Sequence, residues 1–297
     1  MIWLIGAQGM LGTELARLFE THRMEYLGTD REVDITDGET LTGFTKNQPK
    51  RISWIVNCAA YTAVDRAEDE ALICSRINRD GAANIARAAR GIGAKVVHIS
   101  TDYVFDGTSR RPYQEDDAPC PIGVYGRTKY EGEQAIQRIH KAAYIIRTSW
   151  LYGAYGKNFV TTMLRLMEER ERLAVVNDQR GSPTWAHDLA GLMLRLITSV
   201  EDGQAVPAGI YHVSNEGNIS WFDLATEIYR EARERGLVTH DCTVYPCTSA
   251  EFPAKVTRPA YSVLDKSKIK AALGIEIPDW KFSLRAFLET LCRNRPQ

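Results

Sequence analysis

The first twenty residues of the chain, 1–20, read MIWLIGAQGMLGTELARLFE. The apolar run at 1–5 predicts a buried strand, and the spacing of apolar residues at 10–20 predicts a helix. Between them, glycine recurs at every third position of the segment GAQGMLG, residues 6–12. The stretch therefore predicts a strand that turns tightly into a helix, the unit from which parallel α/β sheets are built.

The glycine-rich segment at 6–12 is the first candidate binding site. Glycines at these positions allow a tight turn, let backbone N–H groups approach a pyrophosphate, and let the helix pack close to the strand. The helix N-terminus adds partial positive charge. A plain tight turn is the alternative, but a place at the first strand–helix junction favours dinucleotide binding. The candidate cofactor-binding residues are Gly6, Gly9, Met10, Leu11 and Gly12.

Short apolar runs alternate with helical patterns through the first half of the chain. Such alternation is typical of right-handed crossovers and of a parallel sheet covered on both faces. The predicted fold class is therefore α/β, with a Rossmann-like doubly wound parallel sheet. Strands are predicted at 1–5, 26–28, 54–58, 95–100 and 143–148, and helices at 10–20, 69–92 and 125–140.

The alternation becomes less regular after Trp150. We expect a dinucleotide-binding Rossmann domain at 1–150 and, at 151–297, mainly a smaller α/β substrate-binding lobe. Some later elements are expected to return to the first domain. Helices are predicted at 159–171, 186–198, 220–234 and 284–291, and strands at 173–176 and 209–213.

The composition narrows the class of partner. The 37 Lys and Arg against 38 Asp and Glu give a formal charge of −1, so we expect neither nucleic acid nor a membrane surface as a partner. The apolar start has no basic leader, and polar residues return at Thr13 and Glu14, which argues against a signal peptide or a membrane span. Six scattered cysteines without a Cys-x-x-Cys pair indicate a reduced, cytoplasmic chain.

Polar residues at the end of the second predicted strand are candidates for the adenosine half of the cofactor. Asp30 lies about twenty residues after the glycine segment and can accept a hydrogen bond from a ribose 2′-OH, which favours NADH. Arg31 can instead hold a 2′-phosphate, so NADPH or use of both cofactors stays open, and an exposed turn is the alternative. Further candidates for the cofactor walls are Asp34, Ile35, Ala59 and Ala60.

Tyr125 and Lys129 stand four residues apart at the start of a predicted helix, and Ser100-Thr101-Asp102 follows a predicted strand. Ligands of open α/β sheets bind at the carboxyl ends of strands, which places Thr101 near the glycine segment. An ammonium one turn away favours the charged form of a phenol and can bind ribose hydroxyls. We therefore predict a catalytic set in which Tyr125 protonates a carbonyl oxygen held by Thr101 as hydride reaches the attached carbon. Ordinary helix surface is the alternative.

Eight segments together resemble the dTDP-4-dehydrorhamnose reductase family of the extended short-chain dehydrogenase/reductase superfamily. The resemblance covers nearly the whole chain and is more specific than any single motif. The segments are GAQGMLG at 6–12, VNCAAYTAVDRAE at 56–68, VVHISTDYVFDG at 96–107, VYGRTKYEGE at 124–133, IIRTSWLYG at 145–153, NFVTTMLRL at 158–166, VVNDQRGSPT at 175–184 and RPAYSVLD at 258–265.

The resemblance implies hydride transfer from NAD(P)H to the C4 keto group of dTDP-4-dehydro-β-L-rhamnose, giving dTDP-L-rhamnose. By similarity, Tyr125 is the acid, Lys129 lowers its pKa and anchors the ribose, and Thr101 with Asp102 contacts the sugar. The remaining residues implied by the resemblance are Ala60, Tyr61 and Thr62 along the cofactor, Asn78 near the active site, Trp150 against the substrate, and Arg258 on the dTDP pyrophosphate.

Metal and assembly are less defined by the resemblance. Some members are described as magnesium-linked dimers that use acidic residues on an early helix and after the GxPT segment. Glu14 fits the first position, but Trp185-Ala186-His187-Asp188 does not reproduce the second. We therefore assign no metal ligands, and a homodimer stays open.

Two other functions fit parts of the sequence. A reductase of another dTDP-4-keto-6-deoxyhexose would use the same fold and the same acid. A non-catalytic NADP-binding subunit, similar to the β regulatory subunit of methionine adenosyltransferase, would need no acid at all. The intact set of Thr101, Asp102, Tyr125 and Lys129 favours turnover.

Overall fold

The computed structural model describes residues 1–252 and 254–293. Its strands are β1 (Ile2–Ile5), β2 (Tyr26–Thr29), β3 (Trp54–Asn57), β4 (Lys95–Thr101), β5 (Ala143–Thr148), β6 (Leu151–Tyr152), β7 (Arg172–Val176), β8 (Arg180–Gly181), β9 (Thr184–Trp185), β10 (Gly209–His212), β11 (Ile219–Ser220) and β12 (Thr243–Cys247).

Its α-helices are α1 (Met10–Thr21), α2 (Gly38–Lys46), α3 (Val64–Ala67), α4 (Ala71–Ser75), α5 (Ala82–Ile92), α6 (Val124–Ile139), α7 (Phe159–Glu169), α8 (Ala186–Glu201), α9 (Trp221–Glu234), α10 (Ser267–Leu273) and α11 (Trp280–Arg293). A π-helical turn, Arg76–Gly81, joins α4 to α5, and a 3-10 turn, Asp102–Val104, follows β4. In the part of the chain that the structure describes, no helix is both long and apolar enough to cross a membrane.

Six strands form one sheet in the order β2-β1-β3-β4-β5-β10, and every neighbouring pair is parallel. The chain runs from β1 to β2 on one side and then returns to β3 on the other side of β1. The carboxyl ends of β1 and β3 therefore flank the point where the strand order reverses, which is where open α/β sheets bind ligands. The predicted Rossmann-like parallel sheet is confirmed.

Alternate side chains of β1 fill the two faces of this sheet. Ile2 and Leu4 belong to the core shared with α1 and α8, whereas Trp3 and Ile5 belong to the core shared with α2 and α5. Because both faces are covered, β1 is apolar at every position rather than at every second one.

The second half of the chain contributes to this sheet and also has a core of its own. β10 pairs with β5 at the sheet edge, and α8 packs against α1. A separate apolar cluster joins α7, β7, α9 and α11. The division of the chain at residue 150 into two functional domains stays a prediction.

Several elements differ from the sequence-based predictions. The helical region predicted at 69–92 is present from Ala71 to Ile92, but its middle part, Arg76–Gly81, is a π-helical turn and not α-helix. The helix α2 and the strand β12 were not predicted. α2 contains two glycines and three threonines, which are weak helix formers, and it begins where the Asp37 carboxylate accepts hydrogen bonds from two backbone N–H groups. β12 contains Pro246, which usually argues against a strand, and it pairs with β7 alone.

Candidate active site

The glycine segment after β1 forms a cradle that only glycine can build. Gly6 has a φ of +76°, and a Cβ added there would lie 2.7 Å from the Ala59 nitrogen. A Cβ on Gly12 would lie 2.0 Å from the Gly6 carbonyl oxygen. Gly9 is the N-cap residue of α1, and Met10 and Leu11 are its first two residues. The first backbone N–H groups of a helix have no partners within the helix. The cradle therefore fits a dinucleotide pyrophosphate, with no side chain in its way.

Gly12→Ala is expected to weaken cofactor binding by about 5- to 150-fold, because overpacking of this kind costs about 1–3 kcal/mol. The methyl group would force the Gly6 carbonyl out of the loop. Titration of the protein with NADPH and NADH measures the effect. Gly43→Ala in α2 is the matched control, because an added Cβ there meets nothing within 4 Å. Equal affinity in the two variants would contradict the assignment of the cradle.

A cavity of about 440 Å³ lies where the glycine segment meets the end of β2, and it is lined by Gln8, Gly9, Asp30, Arg31 and Glu32. The Gln8 backbone N–H donates to Asp30 Oδ2 at 3.1 Å, so the carboxylate is tied to the cradle. Both predicted adenosine-binding residues therefore line one cavity beside the predicted pyrophosphate site.

Asp34 and Ile35 have contacts that belong to the turn after β2. The Asp34 carboxylate is exposed and accepts from the Thr36 backbone N–H at 2.8 Å. Ile35 is buried, and its carbonyl accepts from the Asn84 side-chain amide at 3.1 Å. Contact of either residue with an adenine ring stays a prediction.

Asn78 fixes the segment at 59–62, which contains the predicted cofactor-lining residues. Its Oδ1 accepts from the Tyr61 backbone N–H at 2.9 Å, and its Nδ2 donates to the Tyr61 carbonyl at 3.2 Å. The same Nδ2 lies 3.2 Å from the Thr128 hydroxyl on α6. A Cβ on Gly132 would lie 2.3 Å from the Asn78 carbonyl oxygen, so glycine at this position lets α6 lie close to the π turn.

Ala59, Ala60, Tyr61 and Thr62 follow β3, whose carboxyl end borders the switch point of the sheet. The Ala59 N–H donates to the Asn57 side chain at 3.0 Å, and the Tyr61 hydroxyl donates to Glu70 at 2.6 Å. Thr62 is exposed. The segment is thus held in place by the side chains of Asn57 and Glu70.

Thr101 and Tyr125 meet at the carboxyl edge of the sheet. Thr101 is the last residue of β4, and Tyr125 is the second residue of α6. The Thr101 side chain is placed to hydrogen-bond the phenol, an interaction that lowers the pKa of Tyr125. The Tyr125 ring contacts the Tyr103 ring edge-on, with centroids 5.5 Å apart. Lys129, one turn later, is 2% exposed, and its Nζ donates to the Ile99 carbonyl at 2.5 Å.

Burial controls the charges of Tyr125 and Lys129. It raises the pKa of Tyr125 above its ordinary value, against the hydrogen bond from Thr101. It lowers the pKa of Lys129 to about 8, and the Glu133 carboxylate opposes that change. Removal of the phenol from water is therefore the largest influence on its pKa, and the predicted effect of Lys129 on Tyr125 stays a prediction. A phenol that keeps its proton at neutral pH is suited to donate it.

Asp102 is a buried acid directly after Thr101. Asp102 is only 2% exposed, and its Oδ1 accepts a hydrogen bond from the Thr101 hydroxyl at 3.1 Å. Burial raises the pKa of Asp102 to about 6. Its negative charge in turn raises the pKa of Tyr125. Asp102 therefore favours the protonated phenol.

Trp150 lies two residues beyond Thr148, which pairs with Thr101 across β4 and β5. It has a φ of +48°, a conformation that a residue with a side chain adopts at a cost of about 1–3 kcal/mol. Its ring stacks on Trp221 with centroids 3.5 Å apart, and a Cβ on Gly181 would lie 2.5 Å from it. The backbone of Trp150 is thus strained, and its ring is fixed by Trp221 and Gly181. Contact of the ring with substrate stays a prediction.

Arg258 reaches the same edge from the far end of the sequence. Its Nη2 donates to Asp65 Oδ2 at 3.2 Å, and its buried Nε has no hydrogen-bond partner among residues 1–252 and 254–293. Burial raises the pKa of Tyr103 to about 12, and the positive charge of Arg258 opposes that rise. The guanidinium is therefore close to the tyrosine pair and has donor capacity left for a ligand.

The carboxylate of Glu14 contacts the side chain of His187. Its Oε2 lies 3.3 Å from His187 Nδ1, which joins α1 to α8, and this contact raises the pKa of His187. Across the described ranges, no group of three or more His, Cys, Asp or Glu is placed to hold a metal ion.

Sequence reasoning missed the residues that hold the site together. Asp65 and Glu68 lie within the segment VNCAAYTAVDRAE, and Tyr103 lies within VVHISTDYVFDG, so both segments had been singled out. The Val124 backbone N–H donates to Glu68 at 2.7 Å, across 56 residues of sequence. No local spacing signals a contact of that kind.

The parallel sheet, the glycine cradle and the Thr101–Tyr125–Lys129 cluster define a dinucleotide-dependent oxidoreductase with a Rossmann-like fold. The family model described as RmlD substrate binding domain matches residues 1–293. A dTDP-4-dehydrorhamnose reductase of Streptomyces griseus is 42% identical over 294 residues, which cover 98% of this chain and 94% of that protein. The chain belongs to the RmlD family of dTDP-4-dehydrorhamnose reductases, and the family resemblance drawn from the sequence is confirmed.

Solved structures agree with this assignment. A dTDP-4-dehydrorhamnose reductase from Clostridium acetobutylicum has a TM-score of 0.90 and 39% identity, and the match covers 98% of this chain and 99% of that one. A dTDP-4-dehydrorhamnose reductase from Bacillus anthracis, in complex with NADP, also has a TM-score of 0.90 and 39% identity, over 97% of this chain and 98% of that one.

Proposed function

We propose that this protein transfers hydride from NAD(P)H to the C4 keto group of dTDP-4-dehydro-β-L-rhamnose, giving dTDP-L-rhamnose. Relatives named dTDP-4-dehydrorhamnose reductase match nearly its whole length. The observation that carries the proposal is the pairing of Thr101 and Tyr125 at the carboxyl edge of the sheet, where the glycine cradle also opens.

Bound NAD(P)H supplies the hydride. Tyr125 holds a proton at neutral pH and donates it to the oxygen that gains negative charge, because an alkoxide is a much stronger base than a phenolate. Thr101, bonded to Tyr125, donates to or orients the same oxygen. Lys129 keeps a buried positive charge below about pH 8, at the place where the ribose hydroxyls of the cofactor are proposed to bind.

The substrate is proposed to lie across the far side of this cluster. Asp102 and Thr101 contact the sugar, and Trp150 packs against it. Arg258 binds the pyrophosphate of the dTDP group, since a guanidinium fork matches paired phosphate oxygens. Support comes from the free donor capacity of Arg258 and from the fixed ring of Trp150.

Arg31 is proposed to select NADPH. Arg31→Ala is expected to weaken NADPH binding about 10-fold and to leave NADH binding unchanged, because one charge-assisted hydrogen bond contributes about 1.5 kcal/mol. Titration with each cofactor measures the ratio. Arg23→Ala, at another exposed arginine, is the control. A variant that binds NADPH as the parent does would place the 2′-phosphate elsewhere.

The function is tested by absorbance at the reduced nicotinamide band, with dTDP-4-keto-L-rhamnose generated in situ and each cofactor supplied in turn. Sugar-dependent loss of absorbance, with dTDP-L-rhamnose as product, is expected. Faster turnover with another dTDP-4-keto-6-deoxyhexose from a panel would change the sugar and keep the mechanism. No oxidation with any member of the panel would overturn the enzyme assignment.

A cytoplasmic location is part of the same proposal. All six cysteines are free in the structure, and free cysteines are typical of reducing compartments.

A further inference from the structure

We propose that Glu68 is a positioning residue for Tyr125, because its carboxylate caps the first turn of α6 from a separate segment of the chain. This inference rests on the proposed role of Tyr125 as proton donor. Glu68 Oε1 accepts from the Val124 backbone N–H at 2.7 Å. Val124 directly precedes Tyr125, so the bond fixes the backbone from which the phenol extends.

The helix needs such a partner because it has no cap of its own. The first N–H groups of any helix lack partners within the helix, and a side chain at the N-cap position usually satisfies one of them. The N-cap residue of α6 is Gly123, which has no side chain to do so. A negative charge at this end is also favoured by the helix dipole. Glu68 supplies both the acceptor and the charge.

Glu68 is placed tightly against the start of the helix. A Cβ added to Gly123 would lie 3.2 Å from Glu68 Oε1 and 3.3 Å from a methyl group of Val256. Glycine at 123 therefore leaves room for the carboxylate and for Val256 on the same turn. A local capping side chain at this position would compete with Glu68 for space.

The segment that carries Glu68 is itself anchored at several points. Arg258 pairs with Asp65 at 3.2 Å, and Lys255 forms an ion pair with Asp69. Glu70 accepts from the Tyr61 hydroxyl at 2.6 Å, which ties it to the segment at 59–62. Glu68 thus connects the side of the site proposed for the cofactor with the helix that carries the proton donor. The cap sets where the phenol stands relative to the cofactor and to Thr101.

The test compares Glu68→Ala with Glu68→Gln in the keto-sugar reduction assay. The glutamine keeps an Oε1 acceptor for the Val124 N–H, whereas alanine removes it. We expect Glu68→Ala to lower kcat about 10-fold, with KM for the keto sugar and affinity for NADPH within about 2-fold, because loss of a cap displaces the acid rather than the binding groups. Glu68→Gln is expected to keep most of the kcat. Glu169→Ala, at an exposed carboxylate on α7, is the control.

A second variant separates positioning from general damage to the fold. Gly123→Ser in the Glu68→Ala background gives α6 a local cap in the space that the carboxylate vacates, and it should recover part of the lost kcat. Unchanged kcat in Glu68→Ala, or equal loss in Glu68→Gln and Glu68→Ala, would overturn the proposal. If Tyr125→Phe lost activity and Glu68→Ala did not, the role of Glu68 would be wrong and the proposed function would stand. If Tyr125→Phe stayed active, the proposed function itself would be wrong.

Discussion

Tyr125→Phe is expected to lower the rate of sugar-dependent NAD(P)H oxidation by about 100- to 10,000-fold, the range that a positioned general acid contributes. The substitution removes one oxygen and keeps the ring, so the edge-on contact with Tyr103 at 5.5 Å should remain. Thr101 would still reach the carbonyl oxygen, but no phenol would be there to donate a proton to it. Steady-state kinetics with saturating cofactor measure the loss.

Tyr130→Phe is the matched control for this experiment. Tyr130 lies on the same helix and packs against the apolar cluster of Val104, Phe105, Tyr113 and Leu264, and its loss of a hydroxyl should change the rate less than about 2-fold. Affinity for NADPH should be the same in both variants. If Tyr125→Phe turned over at the parent rate, another group would have to be the proton donor.

The fold was predictable where a local pattern decides burial. The strands of the central sheet contain runs of buried apolar residues because helices cover both faces, so their positions were correct to within a few residues. α2 was missed because its glycines and threonines are weak helix formers, and β12 was missed because it contains a proline and pairs with β7, which is distant in sequence. The π turn at Arg76–Gly81 was missed for a similar reason, since its position is set by packing against α6.

The candidate site divides in the same way. Gly6, Gly12, Tyr125 and Lys129 follow local spacing rules, and the structure places them at one edge of the sheet. The bond between Glu68 and Val124 joins distant parts of the chain and follows no such rule. Spacing reveals a neighbouring ammonium but not the loss of water around the phenol, so the rise in the pKa of Tyr125 on burial was not predictable from the sequence.

The ion pair between Glu133 and Arg147, which joins α6 to the sheet, was not predicted from the sequence. Glu133 lies one turn after Lys129, and Arg147 lies on β5. The guanidinium donates to both carboxylate oxygens at 2.9 and 2.7 Å, and the two side chains are 1% and 0% exposed. The face of Phe105 lies 5.1 Å from the guanidinium carbon, and His212 Nε2 lies 3.4 Å from Arg147 Nη1.

Glu133→Gln is expected to lower the free energy of unfolding by about 3–5 kcal/mol, because it leaves the Arg147 charge buried without a counter-charge. Urea unfolding monitored by circular dichroism measures the change. Glu131→Gln on the same helix is the control, since its ion pair with Arg79 is long at 3.9 Å and partly exposed, and about 0–1 kcal/mol is expected.

A double variant decides whether the cost comes from the unpaired charge or from the lost shape. Glu133→Leu with Arg147→Met replaces both charges by apolar side chains, and it should be more stable than Glu133→Gln, because a buried pair recovers little more than its own desolvation. A double variant as unstable as the single one would show that packing, not charge, holds α6 on the sheet. Since Tyr125 and Lys129 lie on this helix, the double variant should keep reductase activity only if α6 keeps its position. The pKa of Lys129 should fall further without the Glu133 carboxylate.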